Sequence, residues 1–195
     1  VAIVRYADGF VMGFQYPHDA RRMMTALEKR LARFGLALHE NKTRLIEFGR
    51  LPSLSREQRG LRRCATFAFL GFTHYCGRTR DGRFVVKRKT QSQRLRVKLK
   101  SLRLRAKKRM HAPVAVQHRW LCQVLRGHYA YYGVTGNSTT LSRFLHEVER
   151  RWRKWLMRRN RDRALDWTLF RRLLQRFPLE PVRTVHSVYR HAVNP

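Results

Sequence analysis

The sequence predicts an α+β chain in which a mixed α and β region, residues 1–76, precedes an all-α bundle, residues 90–177. Two β-prone runs flank Ala7-Asp8-Gly9 near the start of the chain. Apolar residues recur at helical spacing through most of the second half. The composition changes near Gly77, because residues 78–126 contain 17 Lys or Arg and a single acid, Asp81.

The first region contains, in order, a hairpin, a helix and three strands. Residues 1–6 and 10–15 are the β-prone runs, and we place their turn at residues 7–9. Apolar residues between Ala20 and Phe34 predict an amphipathic helix, with Gly35 at its C-terminal cap. Residues 36–38, 43–48 and 67–75 are typical of strands, and a polar loop is expected over residues 50–63.

The second region is predicted to be helical after a basic connector, residues 77–89, with a hairpin at Asp81-Gly82. Thr90 and Gln93 have the spacing of a capping box at the start of a long helix. Pro113 opens a second helix, and a third has its apolar stripe over residues 141–156. Asp166 is a suitable N-cap for a last helix over residues 167–177, after which residues 178–195 form a tail.

The charge predicts a polyanionic partner. The chain carries a formal net charge of +32, from 35 Arg and 9 Lys against 12 acids. Nucleic acid is the commonest partner for such a chain, and Arg favours it because a guanidinium binds phosphate bidentately and stacks on bases. The long helix is the main candidate surface. Beside its apolar stripe, cations line one flank (Arg96, Lys100, Arg103, Lys107) and the other (Arg94, Lys98, Arg105).

The following helix carries further candidates for nucleic-acid binding: Arg119, Arg126, Tyr131 and Tyr132. The tyrosines have two interpretations, because they could stack on bases or belong to the core at the helix end. Likewise the cationic flanks could be a solvated face, although a helix with no acid cannot be stabilised by ion pairs along its length.

Other classes are not supported. No run of about 18 apolar residues predicts a membrane span, and no signal peptide is evident, so we expect a cytoplasmic protein with no membrane partner. Three cysteines without a CxxC pair support neither a disulfide framework nor a zinc module.

Four motifs in order resemble group II intron reverse transcriptase/maturases, which are RNA-directed DNA polymerases of mobile elements. Three lie in the first region: Val4-Arg5-Tyr6-Ala7-Asp8-Gly9, Gly35-Leu36 with Asn41-Lys42-Thr43, and Phe67-Ala68-Phe69-Leu70-Gly71-Phe72. The fourth is Leu125-Arg126-Gly127 with Tyr131-Tyr132-Gly133. The resemblance implies that residues 1–76 are the C-terminal part of a polymerase palm. Residues 90–177 would be the thumb and maturase domain, which binds intron RNA and assists splicing.

The resemblance also assigns roles to single residues. Asp8 would be a vestigial catalytic residue and Mg²⁺ ligand, Lys42 would lie near the incoming nucleotide, and Gly71 would let a primer strand approach the backbone. The family hairpin reads Tyr-Ala-Asp-Asp, whereas Gly9 stands here in place of the second Asp. The fingers and the upstream palm strand would precede Val1. We therefore expect a truncated, degenerate polymerase site that uses Mg²⁺ only if it is completed.

Ordinary structural roles stay open for these residues: a turn Asp, a surface Lys and a strand that packs in a core. Two other functions also stay open. One is an active RNA-directed DNA polymerase completed by a separate N-terminal half, with an RNA/DNA hybrid as a further partner. The other is a basic structural RNA-binding protein without an intron link.

Overall fold

The computed structural model describes residues 1–60, 64–159 and 165–186. It contains two compact units, Val1–Phe48 and a second unit that begins at Gly49. The described residues form five strands in two antiparallel sheets, together with six helices. The predicted α+β class is therefore confirmed.

The first unit consists of a hairpin and one helix. Strands β1 (Ala2–Tyr6) and β2 (Gly9–Gly13) pair antiparallel, as predicted. The two-residue loop is Ala7-Asp8, within the predicted turn, and Gly9 is already paired in β2; Ala7 has a positive φ of 52°. Helix α1 (Pro17–Ala32) follows, and Gly35 lies just beyond it with φ of 66°, as the sequence predicts.

Two predicted strands are absent from the first unit. Residues 36–38 and 43–48 have no regular structure, although their residue types favour strands. A strand needs a neighbour for its backbone hydrogen bonds, and β1 and β2 pair only with each other. The backbone turns instead at His39, whose carbonyl accepts the amides of Lys42 (2.9 Å) and Thr43 (2.8 Å).

The predicted loop at residues 50–63 contains a helix. Helix α2 (Arg50–Gln58) directly follows Gly49, whose carbonyl accepts a 2.7 Å hydrogen bond from the Ser53 hydroxyl. Polar composition suggested a loop, but Arg, Leu and Gln are also good helix formers. Residues 61–63 lie outside the described part of the chain.

One predicted strand is in fact two. Strands β3 (Phe67–Phe69) and β4 (Phe72–Arg78) pair through a two-residue turn, Leu70-Gly71, with positive φ at both positions (49° and 74°). Strand β4 then pairs along its whole length with β5 (Phe84–Thr90), so it passes through residue 77, where the sequence suggests a boundary. The predicted turn near Gly82 is confirmed, with φ of 77°.

Four helices form the bundle: α3 (Ser92–Lys108), α4 (Val114–Tyr132), α5 (Ser138–Arg159) and α6 (Trp167–Arg176). The predicted N-cap of α6 is confirmed, because the Asp166 carboxylate accepts the Leu169 amide at 2.7 Å. Trp152 and Trp155 are buried core residues, as expected. The core is centred on side chains that are fully inaccessible: Leu125, Leu141, Phe144, Val148 and Phe170.

The segment after α6 is ordered against α4 over residues 178–186, which we call the C-terminal strap. The Tyr129 hydroxyl donates to the Glu180 carbonyl (3.3 Å), and the amides of Val185 (2.7 Å) and His186 (2.8 Å) donate to the Gly133 carbonyl. A Cβ at Gly133 would clash with the Tyr129 carbonyl oxygen of α4 and would lie 2.8 Å from the Arg183 carbonyl oxygen of the strap. Glycine is therefore required where α4 ends and the strap passes. The rest of the predicted tail, residues 187–195, lies outside the described residues.

Candidate nucleic-acid interface

The start of α3 is held by a buried amide rather than by a capping box. The N-cap is Gln91, without a side-chain cap, and Thr90 is the last residue of β5. The Asn137 side chain accepts the Thr90 amide (2.9 Å) and donates to the Thr90 hydroxyl (2.8 Å) and the Tyr132 carbonyl (2.8 Å). The predicted capping box is wrong, because Asn137 occupies the hydroxyl that would cap the helix. This bond set ties α3 to the ends of α4 and α5.

Helix α3 buries one narrow stripe and exposes its cations. Leu95 and Leu102 are buried, whereas the predicted cations are exposed. Two rows follow from the helical period. The opposite row consists of Arg96, Lys100, Arg103 and Lys107. The α4-side row consists of Arg94, Lys98 and Arg105, and the interactions described below place it beside α4.

No side chain in either row forms an ion pair in the part of the chain that the structure describes. Other acids of this unit pair with arginines outside the rows: Asp81 with Arg83 (3.1 Å), and Glu180 with Arg126 and Arg183 (3.6 Å each). Glu147 pairs with Arg150 and Arg151. Burial opposes ionisation of Glu147, but these two arginines outweigh it and hold its pKa below the ordinary value. The α3 rows are thus left with uncompensated positive charge.

The α4-side row lies beside α4. Just beyond α3, the Arg109 guanidinium lies 5.1 Å from the centre of the Trp120 ring. Toward the start of α3, the charge of Lys98 adds to the effect of burial in lowering the pKa of His128. Burial raises the pKa of Tyr132, and the charge of Arg94 opposes that rise. These pairs run in opposite order along the two helices, so α3 and α4 are antiparallel.

Tyr131 and Tyr132, expected either to stack on bases or to lie in the core, both contact the β3–β4 turn. The Tyr131 hydroxyl donates to the Leu70 carbonyl (3.0 Å), and its ring stacks on Phe72 at a centroid distance of 5.9 Å. A Cβ at Gly71 would lie 3.0 Å from the Tyr132 hydroxyl. The side of Gly71 that lacks a side chain is therefore occupied by Tyr132. Tyr131 remains 52% exposed, so part of its ring faces solvent.

His128 is a buried imidazole beside the cationic row. It is 3% exposed, and its Nε2 has no hydrogen-bond partner. Burial, and then the charge of Lys98, lower the pKa of His128 to about 4. The ring is therefore neutral at ordinary pH, and the local charge comes from Lys98.

The two arginines expected on α4 lie at different kinds of position. Arg119 is exposed, whereas Arg126 reaches the Glu180 carboxylate of the strap at 3.6 Å. The strap also accepts a 2.8 Å hydrogen bond from His118 at the Pro178 carbonyl. One side of α4 is thus covered by the strap.

Two of the predicted polymerase residues, Asp8 and Lys42, lie in the first unit, whereas Gly71 lies in the β3–β4 turn of the second unit. Asp8 is exposed in the β1–β2 loop, and Lys42 is exposed in the turn at His39. Across residues 1–60, 64–159 and 165–186, no three His, Cys, Asp or Glu side chains are grouped so that they could hold a metal ion. The residues present therefore do not fit a Mg²⁺ pair, which needs several converging carboxylates.

Sequence reasoning missed Arg109, Trp120 and Asn137 as contributors to this surface. A helical-wheel projection places Arg109 on the same flank of α3 as Lys98 and Arg105, so the sequence alone could have identified it. The hydrogen bonds between Asn137 and Thr90 could not be predicted from a local pattern, because these residues are 47 positions apart.

Comparisons with protein-family models, with curated proteins and with solved structures find no match to this chain. Among the described residues, no helix has the length and apolar character that crossing a membrane requires.

Proposed function

We propose that this chain is an RNA-binding protein of the group II intron reverse transcriptase/maturase type, which binds intron RNA and assists its splicing. The observation that carries the RNA-binding part is helix α3. It holds eight Lys or Arg and no acid over residues 92–108, and its two rows have no intramolecular counter-charge among the described residues. The intron part rests on the four ordered sequence motifs.

Phosphate contacts explain how α3 would act. Each cation near a phosphate displaces condensed counterions, so affinity falls as salt rises. Such contacts hold the nucleic acid without reading its sequence. The helix is about 25 Å long, at about 1.5 Å per residue, so it spans several phosphates of one RNA.

The polymerase reaction is not part of this proposal. Asp8 is a single exposed carboxylate and Gly9 stands in place of a second, so the first unit lacks the ligands for a metal pair. We interpret Asp8 and Lys42 as remnants of a nucleotide site.

The test measures RNA binding against salt for the whole chain and for the fourfold Ala variant of the opposite row. At about 0.7 to 0.9 per contact, the variant should flatten the slope of log affinity against log salt by about 3 units. A matched control removes four exposed cations elsewhere, at Arg143, Lys154, Arg171 and Arg172, and should flatten it by less than about 1 unit.

Equal flattening by both variants would show that α3 is not the interface. The intron part is tested by comparing a group II intron RNA with an unrelated folded RNA of equal length. We expect tighter binding of the intron RNA, and faster splicing of that RNA at limiting Mg²⁺ when the chain is added. Equal affinity and unchanged splicing would leave only a general RNA-binding protein.

A further inference from the structure

The surface between α3 and α4 combines cations with two aromatic rings of α4. The Arg109 guanidinium lies over the partly buried Trp120 ring at one end, and the half-exposed Tyr131 ring lies at the other. The cations between the two rings are those of the α4-side row. Helix α3 has no aromatic side chain, so the rings of this surface come from α4.

The middle of this surface is open. Gly127 is exposed on α4, one residue before His128, and a Cβ built there would meet no atom within 4 Å. A glycine inside a helix costs about 1 kcal/mol relative to alanine. Local stability therefore does not explain Gly127, whereas a ligand that passes close to the α4 backbone would.

Both aromatic ends are held in place. The Tyr131 hydroxyl is anchored on the Leu70 carbonyl, which leaves the ring fixed and part of its surface exposed. Arg109 caps α3, and the turn after it is held because the Gln117 amide donates to the carbonyls of Met110 (3.2 Å) and Ala112 (2.9 Å).

These features match the way proteins hold unpaired strands, with a cationic groove along the backbone and aromatic rings under the bases. A duplex offers its phosphates but not the faces of its internal bases. Trp120 and Tyr131 are 11 residues apart, or about 16 Å along α4. That distance corresponds to about five stacked nucleotides at about 3.4 Å each.

We propose that the α3–α4 surface binds single-stranded RNA, with the α4-side row on its phosphates and Trp120 and Tyr131 against its bases. This inference rests on the proposed RNA-binding function and adds the class of RNA that this surface selects. Gly127 provides the room for the strand to pass.

The first test compares two triple variants that remove equal charge from the same helix: Arg94, Lys98 and Arg105 to Ala, and Arg96, Lys100 and Arg103 to Ala. For each variant, the affinities for a ten-nucleotide oligouridylate and for a blunt ten-base-pair RNA duplex are measured at the same salt concentration. The α4-side variant should lower the ratio of single-strand to duplex affinity at least tenfold. The other should leave the ratio within threefold.

The second test is Gly127→Leu, which changes no charge and favours the helix. This substitution should weaken oligouridylate binding at least fivefold, whereas the affinity for the duplex and the melting temperature of the protein should not fall. Equal ratios for the two triple variants, or unchanged oligouridylate binding by Gly127→Leu, would overturn this proposal. If the unaltered chain showed no salt-dependent RNA binding at all, the proposed function itself would be overturned.

Discussion

Lowering the pH should destabilise the bundle through His128. Its pKa is about 4 in the folded chain, against 6.5 as the reference value. Between these values the unfolded chain binds the proton and the folded chain does not, so the free energy of unfolding falls as the pH drops below about 6.5. Above about pH 7 the contribution is constant. From pH 7 to pH 5, linkage gives a loss of about 2 kcal/mol.

The assay is urea unfolding at pH 7 and pH 5, followed by tryptophan fluorescence. All four tryptophans lie on helices α4, α5 and α6, so the signal reports the bundle. His128→Leu places an apolar side chain beside Phe144, whose ring centre lies 3.9 Å from the imidazole, and should reduce the loss between pH 7 and pH 5 by about 2 kcal/mol. Substitution of the exposed His111 by Gln should leave the loss unchanged. An equal pH-dependent loss in His128→Leu and in the unaltered chain would refute the assignment.

Three further outcomes follow from the structure. Asn137→Ala should lower the free energy of unfolding by about 2 kcal/mol in urea titrations, because it leaves the buried Thr90 amide without a partner; a loss below about 1 kcal/mol would show that water replaces the amide. The purified chain, with or without Gly9→Asp, should not extend a primer at any Mg²⁺ concentration, and sustained nucleotide incorporation would contradict this. In hydrogen exchange, residues 1–48 should exchange before residues 141–156, since Ala20 is the one buried residue of the first unit; the reverse order would contradict this expectation.

The sequence predicted best where periodicity is strong and local. Helix α5 and its buried tryptophans follow directly from the spacing of Leu141, Phe144, Val148 and Trp152. The N-cap at Asp166 is also a local signal. Residues 36–48 have the residue types of strands, but pairing depends on a neighbour that a local pattern does not specify. The split of β3 from β4 depends on a positive φ at Leu70, which the residue type argues against.

The candidate site was predictable in part for the same reason. The two rows of α3 are a property of one helix, so the spacing of their cations gives their faces. By contrast, contacts between distant segments determine which row lies beside α4 and which side chain lies next to Gly71. The packing of Tyr132 against Gly71 and of Arg109 against Trp120 are two such contacts, and the spacing within one helix does not predict them.

The C-terminal strap determines where a shortened version of this protein can end. Ending the chain at Phe177 would respect every helix boundary, yet it would remove the carbonyls that accept hydrogen bonds from His118 and Tyr129. It would also uncover Cys122, which is buried and approaches the Pro178 carbonyl at 3.9 Å. A fragment designed for crystallisation or for binding assays should therefore extend at least through His186, nine residues beyond Phe177.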